Sequence, residues 1–144
     1  MTEPVIVDSP TEWVADHIRR YVETGGEDGH IWRGVQTLLL TTVGRKTGIS
    51  RRTALIYGID GDDFVIVASK GGHPHNPLWY ENLVVRPEAT IQVGSKILQA
   101  RATLISDTQR YERLWNQMAT IWPGFNDYKE RTTRRIPLVA LTPM

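Results

Sequence analysis

Three short segments of this chain hold the residue types that could do chemistry. Gly44-Arg45-Lys46-Thr47-Gly48, with Arg51 and Arg52 just beyond it, sets cations beside glycines in a stretch without an acid. The glycines let backbone amides approach an anion, while Lys and Arg add a point charge and a bidentate fork. The glycine spacing is not that of a Walker A loop. The stretch therefore reads either as an anion-binding turn or as a solvated basic hairpin. Val67-Ala68-Ser69-Lys70-Gly71-Gly72 ends a strand in a hydroxyl, a cation and two glycines. Small residues there permit close approach of a flat ligand whose polar edge Ser69 and Lys70 could bond. Trp79 and Asn82 follow three residues apart on one helical face, either as part of the same wall or as a core Trp with a surface or capping Asn. Trp122, Phe125 and Tyr128 are also three apart, around a Pro123-Gly124 break that argues for a loop or short helix over a pocket. Trp and Phe would supply a flat apolar wall and Tyr a proton donor; satellite core packing is the alternative.

Other chemistries are excluded. The chain has no Cys, which removes disulfides, thiolate metal sites, iron–sulfur clusters and a Cys nucleophile. His73 and His75 flank Pro74 without a ligand set to join, so no metal site is expected. No Gly-x-Ser-x-Gly or other hydrolase constellation occurs. Redox chemistry in such a chain requires a bound organic cofactor. The net charge of +1 hides an asymmetry: residues 1–30 carry seven acids against Arg19 and Arg20, and the rest of the chain is basic by +6. A basic body suggests an anionic partner, but +6 is modest for a duplex binder. A nucleic-acid partner is not expected, single-strand binding being the alternative of that class.

The elements that must position these residues can be read from periodicity. With 144 residues, 40% hydrophobic and 23% charged, one compact domain burying about two-thirds of its surface is expected. Ser9-Pro10-Thr11-Glu12 predicts a capping box, with Pro10 opening a helix over Trp13, Val14, Ile18, Tyr21 and Val22 that Gly25-Gly26 stops. Strands are predicted at Val35–Thr42, Thr53–Ile59, Phe64–Ser69, Ala89–Val93, Ile97–Ile105 and Ile136–Leu141. One helix should run from Asn76-Pro77 to about Arg86, and a second capping box at Ser106…Gln109 should open another toward Trp122. This is an α+β, mainly β pattern: six antiparallel strands in a small split barrel, with an N-terminal helix and two or three covering helices, a mixed α+β sheet being the alternative. Residues 1–34 form the helix and connector, and 35–144 the barrel. No apolar run approaches the roughly 20 residues of a membrane span, and the acidic start lacks a signal peptide's order. A cytoplasmic protein without stable membrane insertion is expected, with peripheral membrane contact of the N-terminal helix as the alternative.

Taken in order, Leu-Leu-Leu-Thr-Thr-Val-Gly-Arg-Lys-Thr-Gly (38–48), Val-Ile-Val-Ala-Ser-Lys-Gly-Gly (65–72) and Asn-Pro-Leu-Trp-Tyr-Glu-Asn-Leu (76–83) resemble the deazaflavin-dependent nitroreductase family. Its members bind coenzyme F420, an 8-hydroxy-5-deazaflavin, in a split β-barrel. The resemblance spans about residues 35–143. It implies that Arg45, Lys46 and Arg51 hold the coenzyme's phosphate and acidic tail. Val67, Ala68, Ser69 and Lys70 would lie along the ring, and Trp79 and Asn82 would line its site. Trp122, Phe125 and Tyr128 would face the substrate, Tyr128 matching a tyrosine implicated in protonation. Two departures stand out: Ala54 and Ile56 replace a proline and a tyrosine, and Trp122 and Phe125 replace tyrosines, so the substrate wall differs. The implied function is an F420H2-dependent reductase of quinones, enones, coumarin-type lactones such as aflatoxins, or nitro compounds. The alternatives are a non-enzymatic F420 carrier and an oxidoreductase using flavin mononucleotide. The resemblance leaves monomer and homodimer open.

Overall fold

The computed structural model describes residues 6–144. In chain order the elements are β1 (Ile6–Asp8), α1 (Glu12–Thr24), β2 (Ile31–Trp32), β3 (Val35–Val43), β4 (Ser50–Ile56), β5 (Gly58–Asp60), β6 (Asp63–Val67), α2 (Leu78–Val85), β7 (Glu88–Val93), β8 (Lys96–Leu104), α3 (Thr108–Ile121), α4 (Gly124–Glu130) and β9 (Leu138–Pro143). The six expected strands are present, joined by the short β1, β2 and β5. They form one sheet in the order β1-β4-β3-β7-β8-β9-β6-β5, with β2 paired to β3. Every pairing is antiparallel except β1 with β4. The sheet curls until β4 and β6 touch without pairing. That open seam makes it a split barrel.

Side-chain alternation sorts the apolar residues into an inside and two outsides. On β3, Leu38 and Leu40 point into the barrel while Leu39 points out under Ile18 and Tyr21 of α1. On β6 and β9, Ile66, Val139 and Leu141 face the barrel interior, whereas Val65, Val67, Leu138 and Ala140 face α3 and α4. Both faces of these strands are covered, which is why they read as continuous apolar runs. Tyr21 is fully buried, and its hydroxyl donates to the Thr37 carbonyl at 2.9 Å and accepts from the Gly94 amide at 2.8 Å. This fixes α1 across the barrel wall.

Several boundaries differ from the sequence reading. The Thr53–Ile59 run is two strands, because the chain leaves β3 after Ile56 and takes β6 as its partner from Gly58. Helix α1 begins at Glu12 rather than Pro10: the Ser9 amide still bonds the Arg52 carbonyl at 3.0 Å, so the backbone remains extended there. The cap of α3 is Asp107, not Ser106, its carboxylate accepting from the Arg110 amide at 2.8 Å. Pro123-Gly124 does break the last helix, and a new one, α4, starts at once.

Candidate active site

The seam between β4 and β6 opens into a cavity of about 690 Å³, within the roughly 300–1,000 Å³ usual for small-molecule clefts. Residues 51–56 form one wall, Val67 and Ser69–Gly71 another, and Pro77, Leu78, Trp79 and Asn82 a third. The N-terminal turn of α1 and the aromatic trio Trp122, Phe125 and Tyr128 cover it. Of the residues singled out in the sequence, Arg51, Val67, Ser69, Lys70, Trp79, Asn82, Trp122, Phe125 and Tyr128 therefore meet in one place. Arg45, Lys46 and Ala68 are not on the wall. Ala68 is fully buried behind the strand end, and Arg45 and Lys46 project from the exposed turn after β3.

Arg45 is tied to the cavity through its backbone. Asn82, 4% exposed, accepts from the Arg45 amide at 3.1 Å and donates to Thr42 Oγ1 at 3.1 Å. One amide side chain thus fixes the cationic turn to α2, and burial makes those two bonds costly to lose. Among the described residues Arg45, Lys46 and Arg51 form no ion pair, unlike Arg52. The sequence places Arg52 in an acid-free stretch, but the parallel pairing of β1 with β4 sets Asp8 opposite it, and the two form a fork at 2.6 and 3.2 Å. Arg52 is a structural cation, and the mouth keeps Arg45, Lys46 and Arg51 without an acid partner among the described residues.

At the strand end the chain turns through left-handed Lys70, Gly71 and Gly72, with φ of 45°, 62° and 81°. Lys70 adopts a conformation that costs a non-glycine residue about 1 kcal/mol or more. The turn is held by Arg134, which sequence reasoning missed. Its guanidinium donates to the carbonyls of Ser69 at 2.7 Å, Ala68 at 3.2 Å and His73 at 2.8 Å, and to Asn76 Oδ1 at 2.9 Å. Desolvation pulls its pKa below the usual arginine value. No sequence signal separated Arg134 from its neighbour Arg135, which stacks on the Tyr111 ring at 4.0 Å. Gly72 brings the lid close: a Cβ there would lie 2.6 Å from the Tyr128 carbonyl oxygen and 2.9 Å from Arg131 Cβ.

The far end of the cavity is aromatic. Trp13 of α1 stacks on Trp32 of β2 with centroids 5.9 Å apart, and Trp32 meets Trp122 at 5.2 Å. Phe125 and Tyr128 meet edge to face at 6.1 Å. Trp32 and His17 are cavity residues that the sequence reading passed over. Trp32 sits in a strand too short to show periodicity, and His17 shares the apolar face of α1 with Ile18 and Tyr21. Among the described residues no cluster of three metal-ligating side chains occurs, and no helix is long and apolar enough to cross a membrane.

The arrangement gives a slot with a cationic mouth and an aromatic end, suited to a long, flat, anionic cofactor beside a flat substrate. Residues 13–143 match the family model described as F420H(2)-dependent quinone reductase. An F420H(2)-dependent quinone reductase of Mycobacterium tuberculosis is 41% identical over 129 residues, covering 88% of this chain and 87% of the relative. A solved structure titled F420-H2 dependent reductase (FDR-A) superposes with a TM-score of 0.66 at 32% identity, over 73% of this chain and 92% of that one. Another, described as a domain-swapped dimer, gives 0.69 at 33% identity over 92% and 99%. The flavin mononucleotide alternative gains no support from these relatives, and the reading as a non-enzymatic carrier yields to that of an oxidoreductase. With an open barrel seam, cations unpaired among the described residues at its mouth and aromatic rings at its end, the chain belongs to the F420H(2)-dependent quinone reductase family.

Proposed function

We propose that this protein reduces quinones in the cytoplasm with the hydride of reduced F420, and that the cavity at the barrel seam holds both partners. The observation that carries the reading is its polarity: three cations unpaired among the described residues at one end, and three tryptophans in mutual contact at the other. The residues fit the group, since the coenzyme's phosphate and acidic tail need cations that no acid among the described residues neutralises. Arg45, Lys46 and Arg51 would hold the tail. Val67, Ser69 and Lys70 would lie along the ring, with Ala68 supporting them from behind, and Trp79 and Asn82 would close its other side. When bound, the coenzyme supplies two electrons as a hydride from its own ring carbon. The protein's part is to orient the two flat molecules, exclude water and supply a proton.

Trp122, Phe125 and Tyr128 would bound the substrate, and the Tyr128 hydroxyl would donate to the oxygen on which charge develops. Tyr128 is the catalytic residue of this proposal. Enones, coumarin-type lactones such as aflatoxins, and nitro compounds share the same flat, electron-poor chemistry and form the wider substrate range. A solved relative is described as a domain-swapped dimer, which supports a homodimer over a monomer here; sedimentation decides between them.

The test is fluorescence titration with F420 and with flavin mononucleotide side by side, followed by single-turnover oxidation of reduced F420 by menadione. Binding of F420 alone with rapid turnover is expected. Absent F420 binding, or binding without turnover, overturns the proposal. Tyr128→Phe keeps the ring and removes the hydroxyl. It should slow single turnover about tenfold, short of the 10²–10³ for a fixed donor because the lid is a short helix after a Pro-Gly break. Coenzyme affinity should be unchanged.

A further inference from the structure

We propose that His17 is a second catalytic residue of this site, delivering a proton through Nδ1 to the reduced substrate; the proposal rests on the quinone-reductase reading above. His17 is 5% exposed on the inner face of α1, and the surface it keeps is part of the cavity wall, with Thr37, Ala54 and Ile56. Its Nε2 lies 2.7 Å from the Gly29 carbonyl oxygen. A carbonyl only accepts, so Nε2 carries the hydrogen and Nδ1 holds a lone pair. Nδ1 has no hydrogen-bond partner among the described residues, yet no buried side-chain nitrogen or oxygen is sealed off without one. Nδ1 therefore reaches open space, and the open space that His17 borders is the cavity.

The ring is held in that orientation. The Gly29 carbonyl also accepts from Thr37 Oγ1 at 2.8 Å, and the Tyr21 ring stands 6.2 Å away. Gly29 is required for the contact: with φ +125°, a Cβ there would lie 3.1 Å from both His17 Cδ2 and the Tyr21 ring. A pre-set tautomer with one nitrogen anchored and the other facing a slot is what a proton-transfer imidazole needs. The charged groups on the same wall are Asp8 and Arg52, which neutralise each other, and the cations Arg51 and Lys70. Nearby His30 is engaged with the Tyr57 hydroxyl at 2.9 Å, and on the helix itself Asp16 and Arg20 are paired on the outer face.

The quinone gains two electrons and one hydrogen as hydride, leaving one oxygen negative. Solvent first protonates the Nδ1 lone pair; the Nδ1–H bond of the resulting imidazolium then breaks and an O–H bond forms on that oxygen. Neutral imidazole with its Nε2–H remains, and solvent returns a proton to Nδ1. One proton completes the reaction, so His17 transfers it while the Tyr128 hydroxyl stabilises the same developing charge by a hydrogen bond without giving up its proton.

The test reads a signal independent of turnover. Protein carrying ¹⁵N-histidine is titrated with 2-hydroxy-1,4-naphthoquinone, whose oxygen is anionic at neutral pH. The His17 Nδ1 resonance should move toward its protonated position while Nε2 stays. An unmoved Nδ1 signal at saturation overturns the proposal whatever the variants do. His17→Gln keeps an amide nitrogen for the Gly29 carbonyl and deletes Nδ1, and His17→Asn checks the result if the first variant folds poorly. Single-turnover menadione reduction should slow by 10²-fold or more with F420 affinity unchanged. An unchanged rate in a folded variant also overturns it. If the parent turns over no quinone but the Nδ1 signal still responds, the quinone-reductase reading has failed and the His17 assignment has not.

Discussion

Two arginine-rich regions of this barrel answer opposite needs. Beside the β5–β6 hairpin, Arg110 and Arg113 of α3 meet Asp60 and Asp63, with N–O distances of 3.1 Å, and Thr142 adds a hydroxyl to Asp63 at 2.7 Å. At the cavity mouth Arg45, Lys46 and Arg51 meet no acid among the described residues, although Arg52 next to them is claimed by Asp8. Cations already matched by carboxylates fasten a helix to a sheet, whereas unmatched cations leave a positive field that attracts an anionic ligand. Counting basic residues in the sequence could not separate the two. Sheet register and helix docking did.

The largest expected effect asks whether the unmatched end is the coenzyme end at all. Ser69→Trp pushes an indole into the slot and should weaken F420 binding at least a hundredfold with the circular dichroism spectrum unchanged. Normal affinity in the folded variant would move the ring site elsewhere. A smaller effect sharpens the contrast: Arg45→Ala combined with Arg51→Ala should weaken the full coenzyme about ten- to thirtyfold, since exposed charge contacts contribute about 1 kcal/mol each. Affinity for the tail-less ring alcohol should not change, nor should the melting temperature. Equal losses for both ligands would break the distinction between mouth and slot.

The smallest effect comes from the matched end. Asp60→Asn should lower stability by about 0.5–1 kcal/mol, or roughly 2–4 °C in melting temperature, and leave F420 affinity alone. Hydrogen bonding from Arg113, then from Arg110, holds the Asp60 carboxyl below its ordinary 3.8. A carboxyl depressed by folding stabilises the native state above its unfolded pKa, and that contribution fades as pH falls through the folded value. The difference in melting temperature between parent and variant should therefore be constant near neutrality and shrink below about pH 4.

Much of this was legible in the chain. Apolar and β-branched runs marked the six long strands, most plainly the Leu38–Leu40 run of β3, where both faces are covered. The turn chemistry at Gly44–Gly48, the strand end at Ser69 and the aromatic triplet around Pro123 pointed at residues that converge on the cavity or its mouth. What stayed hidden depended on long-range pairing. Asp8 neutralises Arg52 only through a parallel strand 44 residues away, and Arg134 matters only because β9 runs beside the end of β6. His17 gave no signal of its own because it lies on the inner face of α1 beside the apolar Ile18 and Tyr21 that define it. Strands β1 and β2 were too short for any periodic signal.

The missing side chain at Gly72 makes the Ser69–Gly72 turn and helix α4, the proposed coenzyme wall and substrate lid, one mechanical unit. The turn that Ser69–Gly72 forms rests directly on the backbone of Tyr128, so a molecule that steadies the turn steadies α4 with it. Linkage then requires reciprocity: whatever factor coenzyme binding adds to substrate affinity, substrate binding returns to the coenzyme. A single extra methyl group at residue 72 would wedge the two apart and uncouple the binding events, even if each ligand alone still found its place.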